Sequence, residues 1–163
     1  GKISARLRRI YSAVQEAQEH ACRNIQAGMS GEEIDALCRD YLRKKGLEQY
    51  FIHATGHGIG MEVHEMPSVS PRPNHPSYPL LRKGGEGKRR KRDLPEGAVI
   101  TCEPGVYIPR LGGVRIEDTL ILTKKGNVNL QERVSKKLIS LPASNNPLSI
   151  SPLEKGERKR RGV

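Results

Sequence analysis

The sequence predicts an α+β domain in which a helical hairpin packs on a mainly antiparallel sheet. Three features predict it. Two early stretches place apolar residues at three- and four-residue steps. From residue 50 the chain changes to short, glycine-punctuated, β-prone pieces. Residues 112–123 then alternate between apolar and polar positions.

The first helix is expected over residues 4–27, where Leu7, Ile10, Tyr11, Val14, Ala17, Ala21 and Ile25 share one face and Gly28 offers a stop. Ser30 followed by Glu33 is a reciprocal capping box, which starts a second helix at residue 31. That helix should run to about residue 45, bury Ile34, Leu37, Cys38, Tyr41 and Leu42, and close at Gly46. Both helices read as scaffold, with His20 and the cysteines on them incidental.

VITCEPGVYIP, residues 99–109, reads as two short strands broken at Pro104-Gly105. GGVRIEDTLILT, residues 112–123, reads as one longer strand. Val114, Ile116, Asp118, Leu120 and Leu122 lie on one face, with Arg115, Glu117, Thr119 and Ile121 on the other. Asp118 is expected to be structural, and Lys124 to Asn127 a turn.

Hydrophobic residues make up 35% of the 163, low enough that part of the chain is expected to lie outside the packed core. The net charge of +11 is concentrated in RKGGEGKRRKR, residues 82–92, and EKGERKRRGV, residues 154–163. These tracts resemble each other and lack interleaved aromatic residues, so they are expected to be a basic insert at about 74–93 and a low-complexity tail at 134–163. The domain proper is then residues 1–133. No specific nucleic-acid partner is expected, and no apolar run reaches membrane-spanning length. Three cysteines without CxxC spacing, and no visible signal peptide, point to a reducing cytoplasm. The chain opens on Gly1, which leaves open a processed product, a tag remnant or the later part of something longer.

The chemistry concentrates in HATGHGIGMEVHE, residues 53–65. His57 sits among glycines that let the backbone approach closely, and imidazole suits Mn, Fe, Co or Zn. The segment is not a helical HExxH site, because Gly56, Gly58 and Gly60 would interrupt the helix. His53 and His64 reach the same cleft only where the chain folds back. Downstream, Glu103 precedes Pro-Gly, and Glu117 shares a strand face with Arg115. A carboxylate buried in a central strand needs a metal ion or an arginine beside it. Arg115 can orient Glu117 in that way. The alternatives are a turn acid at Glu103 and an outward Glu117–Arg115 pair. Cys102 reads as small buried filler rather than a soft ligand, and Met61 and Met66 as core or cleft packing.

Three stretches in order, YFIHATGHGIGMEVHEMP, TCEPGVYIP and GGVRIEDTLILT, resemble the metal-dependent aminopeptidase family with the pita-bread fold, in particular its proline-specific members. The resemblance runs from about residue 5 to 133. It implies a partial pita-bread fold with a curved sheet, and hydrolysis of the bond before proline in a dipeptide or short peptide. It implies His57, Glu103 and Glu117 as ligands of a divalent metal pair, Mn2+ first, with Co2+, Zn2+ or Fe2+ as alternatives. It implies Glu103 in proton transfer, His53 lining the cleft, His64 at the scissile amide and Arg115 beside the bridging glutamate.

The family also supplies two aspartate ligands from a strand pair ahead of the first helix. Asp35, Asp40, Asp93 and Asp118 are the aspartates of this chain, and none has that context. With three of five ligands, at most one weakly held ion and little activity are expected of the isolated chain. Two alternatives stay open. The missing segment arrives on a complementing N-terminal half, or the chain is a non-catalytic remnant that binds peptides or proteins; a homodimer is the other expected partner state.

Overall fold

The computed structural model describes residues 2–71 and 93–139. Helix α1 spans Ala5–Asn24 and starts at Ser4, whose hydroxyl accepts from the Leu7 amide at 3.2 Å. It is shorter than predicted at its far end, for a tertiary reason. The Ala27 and Gly28 amides donate to the carbonyls of Thr123 and Leu94, and the Asn127 side chain donates to the carbonyls of Cys22 and Ile25. Contacts with the sheet thus satisfy the backbone groups that another helical turn would have used.

Helix α2 spans Gly31–Lys44 behind the predicted capping box, with Glu33 Oε2 accepting from the Ser30 amide at 2.9 Å. Beyond its last turn Gly46 takes a φ of 69°, a conformation that glycine adopts without strain. The buried face of α2 carries Ile34, Cys38 and Leu42 as predicted, but also Asp35 and Arg39, each about 1% exposed. Leu37 and Tyr41, predicted on that face, are half-buried.

After a short 3-10 turn at Glu48–Tyr50, seven strands follow: β1 Gly56–Gly58, β2 Glu65–Val69, β3 Val99–Cys102, β4 Gly105–Ile108, β5 Gly112–Arg115, β6 Asp118–Thr123 and β7 Gly126–Asn129. They form a five-stranded antiparallel sheet in the order β2-β1-β3-β6-β7 and a separate β4-β5 ladder. The core lies between the helices and the sheet. Val14, Ala17, Ile34 and Leu42 meet Val69, Ile100, Leu120 and Leu122, with Phe51 fully enclosed. Each fully buried side chain of this size contributes about 1.5–3 kcal/mol.

Three expectations are corrected. The strand predicted over 112–123 is two strands in different sheets. The Ile116 amide turns to the Pro104 carbonyl, and the Glu103 amide turns to Thr55 O at 2.7 Å. Both neighbouring chains therefore leave the ladder together. The alternation survives the break, since Ile116, Asp118, Leu120 and Leu122 are all buried. Glu117, expected within a strand, sits in the break and is exposed. Among the described strands β3 and β6 are interior to the larger sheet, and β2 and β7 are its outer strands. Met61 and Met66 do not pack in the core or cleft but are exposed, because residues 59–64 project as a turn beyond a bulge at His57/Gly58 and Met66 lies on the outer strand β2.

Asp118 is held by Gln18 at 2.7 Å, Asn129 at 2.6 Å and Lys136 at 2.9 Å. Lys136 lies in the predicted tail, and its carbonyl accepts from the Tyr11 hydroxyl at 2.8 Å, so the start of that segment rests on the domain. Apart from Asp93 and residues 134–139, the predicted basic insert and tail lie outside the described residues. Among the described residues no helix is long and apolar enough to cross a membrane.

Candidate active site

The antiparallel turn from β1 into β2 supplies the fold-back that the histidines require. The rings of His57 and His64 come to 4.3 Å between centroids. Gly58 allows this approach, since a Cβ there would collide with the Met66 carbonyl of β2, and Gly56 allows that of β3, since a Cβ there would collide with the Thr101 carbonyl. β3 then brings Glu103 to His57, with Oε1 3.3 Å from Nε2.

Partner geometry assigns the imidazole tautomer. Nδ1 of His57 lies 2.9 Å from the Gly58 carbonyl, so in the neutral ring it donates there and Nε2 presents its lone pair to Glu103. Thr101 Oγ1 donates to the same carboxylate at 3.2 Å and accepts from the His57 amide at 3.0 Å. One threonine thus holds both groups. A lone pair facing a carboxylate oxygen calls for a cation between them. An imidazole nitrogen and a carboxylate oxygen suit a divalent first-row ion, so this pair fits such a group.

Glu117 reaches the pair only through Arg115. The guanidinium approaches Glu103 at 3.4 Å and Glu117 at 3.9 Å, with both Arg115 and Glu117 about half exposed. Among the described residues, no three His, Cys, Asp or Glu side chains are gathered into one metal-holding group. The structure therefore brings His57, His64, Glu103 and Arg115 together and sets Glu117 on the far side of the arginine. His53 occupies a neighbouring niche. Its Nδ1 faces the Ala54 carbonyl at 2.7 Å and its Nε2 accepts from the Tyr107 hydroxyl at 3.0 Å. Nε2 also lies where a side chain at Gly105 would project, two residues past Glu103.

Among the described residues no aspartate joins His57 in a metal-holding group. Asp35 pairs with Arg39, Asp40 with Arg43, Asp118 with Lys136, and Asp93 bridges Ser30. Cys102 is fully buried. Hydrogen bonding with Cys22 and Cys38, together with burial, pushes its thiol well above the ordinary range, as suits neutral filler. The three cysteines, far apart in sequence, therefore meet behind Glu103. Sequence reasoning missed Thr55, Thr101 and Tyr107. Thr101 was reachable, because it lies two residues before Glu103 and so on the same strand face.

The model of metallopeptidase family M24 matches residues 1–124. The chain is 44% identical over 127 residues to an uncharacterized peptidase, YqhT, of Bacillus subtilis, covering 78% of this chain and 31% of that protein. It is 40% identical over 126 residues to the Xaa-Pro dipeptidase of Pyrococcus furiosus, covering 77% and 31%. The solved Xaa-Pro dipeptidase from Bacillus anthracis superimposes with a TM-score of 0.73 at 42% identity, covering 86% of this chain and 35% of that one. The chain thus spans about a third of the length of these relatives, and its architecture is a partial pita-bread fold. With the family model spanning most of the chain, this chain belongs to metallopeptidase family M24.

Proposed function

We propose that this chain forms part of the catalytic domain of a metal-dependent exopeptidase that cleaves the bond before proline in dipeptides or short peptides. The observation that carries this reading is the His57 Nε2 lone pair facing Glu103, with Arg115 linking Glu103 to Glu117. His57, Glu103 and Glu117 are the groups that would hold a divalent ion, Mn2+ in the first instance. When bound, such an ion supplies a water of lowered pKa and stabilises negative charge on the attacked carbonyl oxygen.

The protein's own groups supply the rest. Glu103 accepts a proton from the water and delivers it to the departing proline nitrogen. His64, exposed at the mouth beside His57, contacts the scissile amide. His53, fixed by Tyr107, lines the cleft. Arg115 keeps the two carboxylates in register. Free thiols at Cys22, Cys38 and Cys102 support a reducing, cytoplasmic setting.

Asp35, Asp40 and Asp118 are paired with Arg39, Arg43 and Lys136, and Asp93 lies exposed on a backbone bridge to Ser30, so the isolated chain offers three of the five family ligands and should hold at most one ion weakly. The same observation favours a second reading, in which a separate polypeptide bearing the two aspartates completes the site. Calorimetric titration with Mn2+, with and without such a polypeptide, tests both readings beside an Xaa-Pro dipeptide assay. Weak binding lost in Glu103→Gln, with negligible turnover by the chain alone, is expected. Strong turnover by the isolated chain, or binding indifferent to Glu103→Gln, overturns the reading.

A further inference from the structure

The ion pair on α2 is placed unlike a stability device. Asp35 and Arg39 are both about 1% exposed, and burying two charges stabilises little or nothing compared with apolar side chains of the same volume. What distinguishes the pair is where its remaining hydrogen bonds go. Arg39 Nε and Nη2 hold Asp35 at 2.7 and 3.0 Å. Arg39 Nη1 donates to the Phe51 carbonyl at 2.8 Å and Nη2 to the His53 carbonyl at 2.9 Å. Asp35 Oδ1 accepts from the Thr55 amide at 3.0 Å and the Thr55 hydroxyl at 2.9 Å. The guanidinium also lies 4.2 Å from the Phe51 ring centroid.

These contacts fall on residues 51, 53 and 55, alternate positions of a segment outside any helix or strand. The segment has no ladder to fix it, and the buried pair takes that role. Its middle and its far end lead to the candidate site. His53 projects from the middle, toward Tyr107. The Thr55 carbonyl accepts from the Glu103 amide at 2.7 Å, and Gly56 begins the strand that carries His57.

We propose that Asp35 and Arg39 are positioning residues of the peptidase site. They fix the 51–55 segment so that His53 and the backbone of Glu103 keep one arrangement relative to His57. This inference rests on the function proposed above for the purpose of the arrangement, but the arrangement can be tested without it.

The test uses the metal-free chain and reads the His53 ring by long-range 1H–15N NMR. In the parent, His53 should show a single tautomer, protonated at Nδ1. The double variant Asp35→Leu/Arg39→Met removes both charges without leaving either one buried alone, so it should fold. It should lose the single tautomer and show the averaged ring signals of a free imidazole. Arg39→Lys, which keeps the charge but not the forked donors, should also lose it. Thr55→Val, which removes one hydroxyl contact, should shift it in the same direction by less. A folded double variant with unchanged His53 signals overturns the proposal. Should that variant not fold, unchanged signals in both Arg39→Lys and Thr55→Val overturn it equally. Mn2+ affinity is measured in parallel and should fall about 10-fold in Arg39→Lys. No binding by the parent would count against the function alone, because the His53 signature is read without metal.

Discussion

The two sides of the candidate site are built differently. On one side, His53, Thr55, Thr101 and Glu103 sit in a closed lattice of hydrogen bonds anchored on the buried Asp35–Arg39 pair. On the other, His64, Arg115 and Glu117 are exposed, and their contacts are one ring approach and ion pairs of 3.4 and 3.9 Å. The first side is organised before any ligand arrives. The second gains geometry only from what binds to it or covers it. Burial makes the difference, since a hydrogen-bonded charge in a dry setting has one low-energy arrangement and an exposed one has many.

If that contrast is real, substitutions on the two sides should differ sharply in cost. Arg39→Ala strands the Asp35 carboxylate in the core and should destabilise the chain by about 3–5 kcal/mol in urea unfolding. Gly56→Ala presses a methyl group against the Thr101 carbonyl, which belongs to the backbone and cannot swing aside. It should cost about 1–3 kcal/mol in the same measurement. Thr101→Val keeps the volume but leaves the His57 amide without its acceptor, and about 1–2 kcal/mol should be lost.

On the open side, Arg115→Ala, Glu117→Gln and Gly60→Ala should each stay within about 0.5 kcal/mol of the parent. At Gly60 the group in the way is the end of the Glu65 side chain, which can rotate into solvent. Open-side variants as costly as those of the lattice would erase the distinction. A Thr101→Val variant as stable as the parent would narrow the lattice to the helix pair.

Much of the architecture could be read from local pattern. The capping box at Ser30 and Glu33, the Pro104-Gly105 break and the burial of Ile116, Asp118, Leu120 and Leu122 depend on neighbours a few residues away. The histidines and glutamates of the candidate site were likewise marked by their motifs. Asp35 and Arg39 were missed for a physical reason. Opposite charges at i and i+4 read as an exposed helix pair unless their face is known to be the buried one. The apolar residues at 34, 38 and 42 did mark that face, but a buried pair is acceptable only when backbone acceptors and donors arrive from elsewhere to satisfy it.

The order of residue types by itself determined the two helices, the β-rich second half and the glycine-rich segment that carries His57. Tertiary structure alone decided that residues 112–123 divide between two sheets, that Thr101 joins His57 to Glu103, and that a salt bridge on α2 holds the segment of His53. Helix and strand periodicity is set by covalent geometry over a few residues. Which carbonyl meets which guanidinium is set by packing between segments that the sequence keeps far apart.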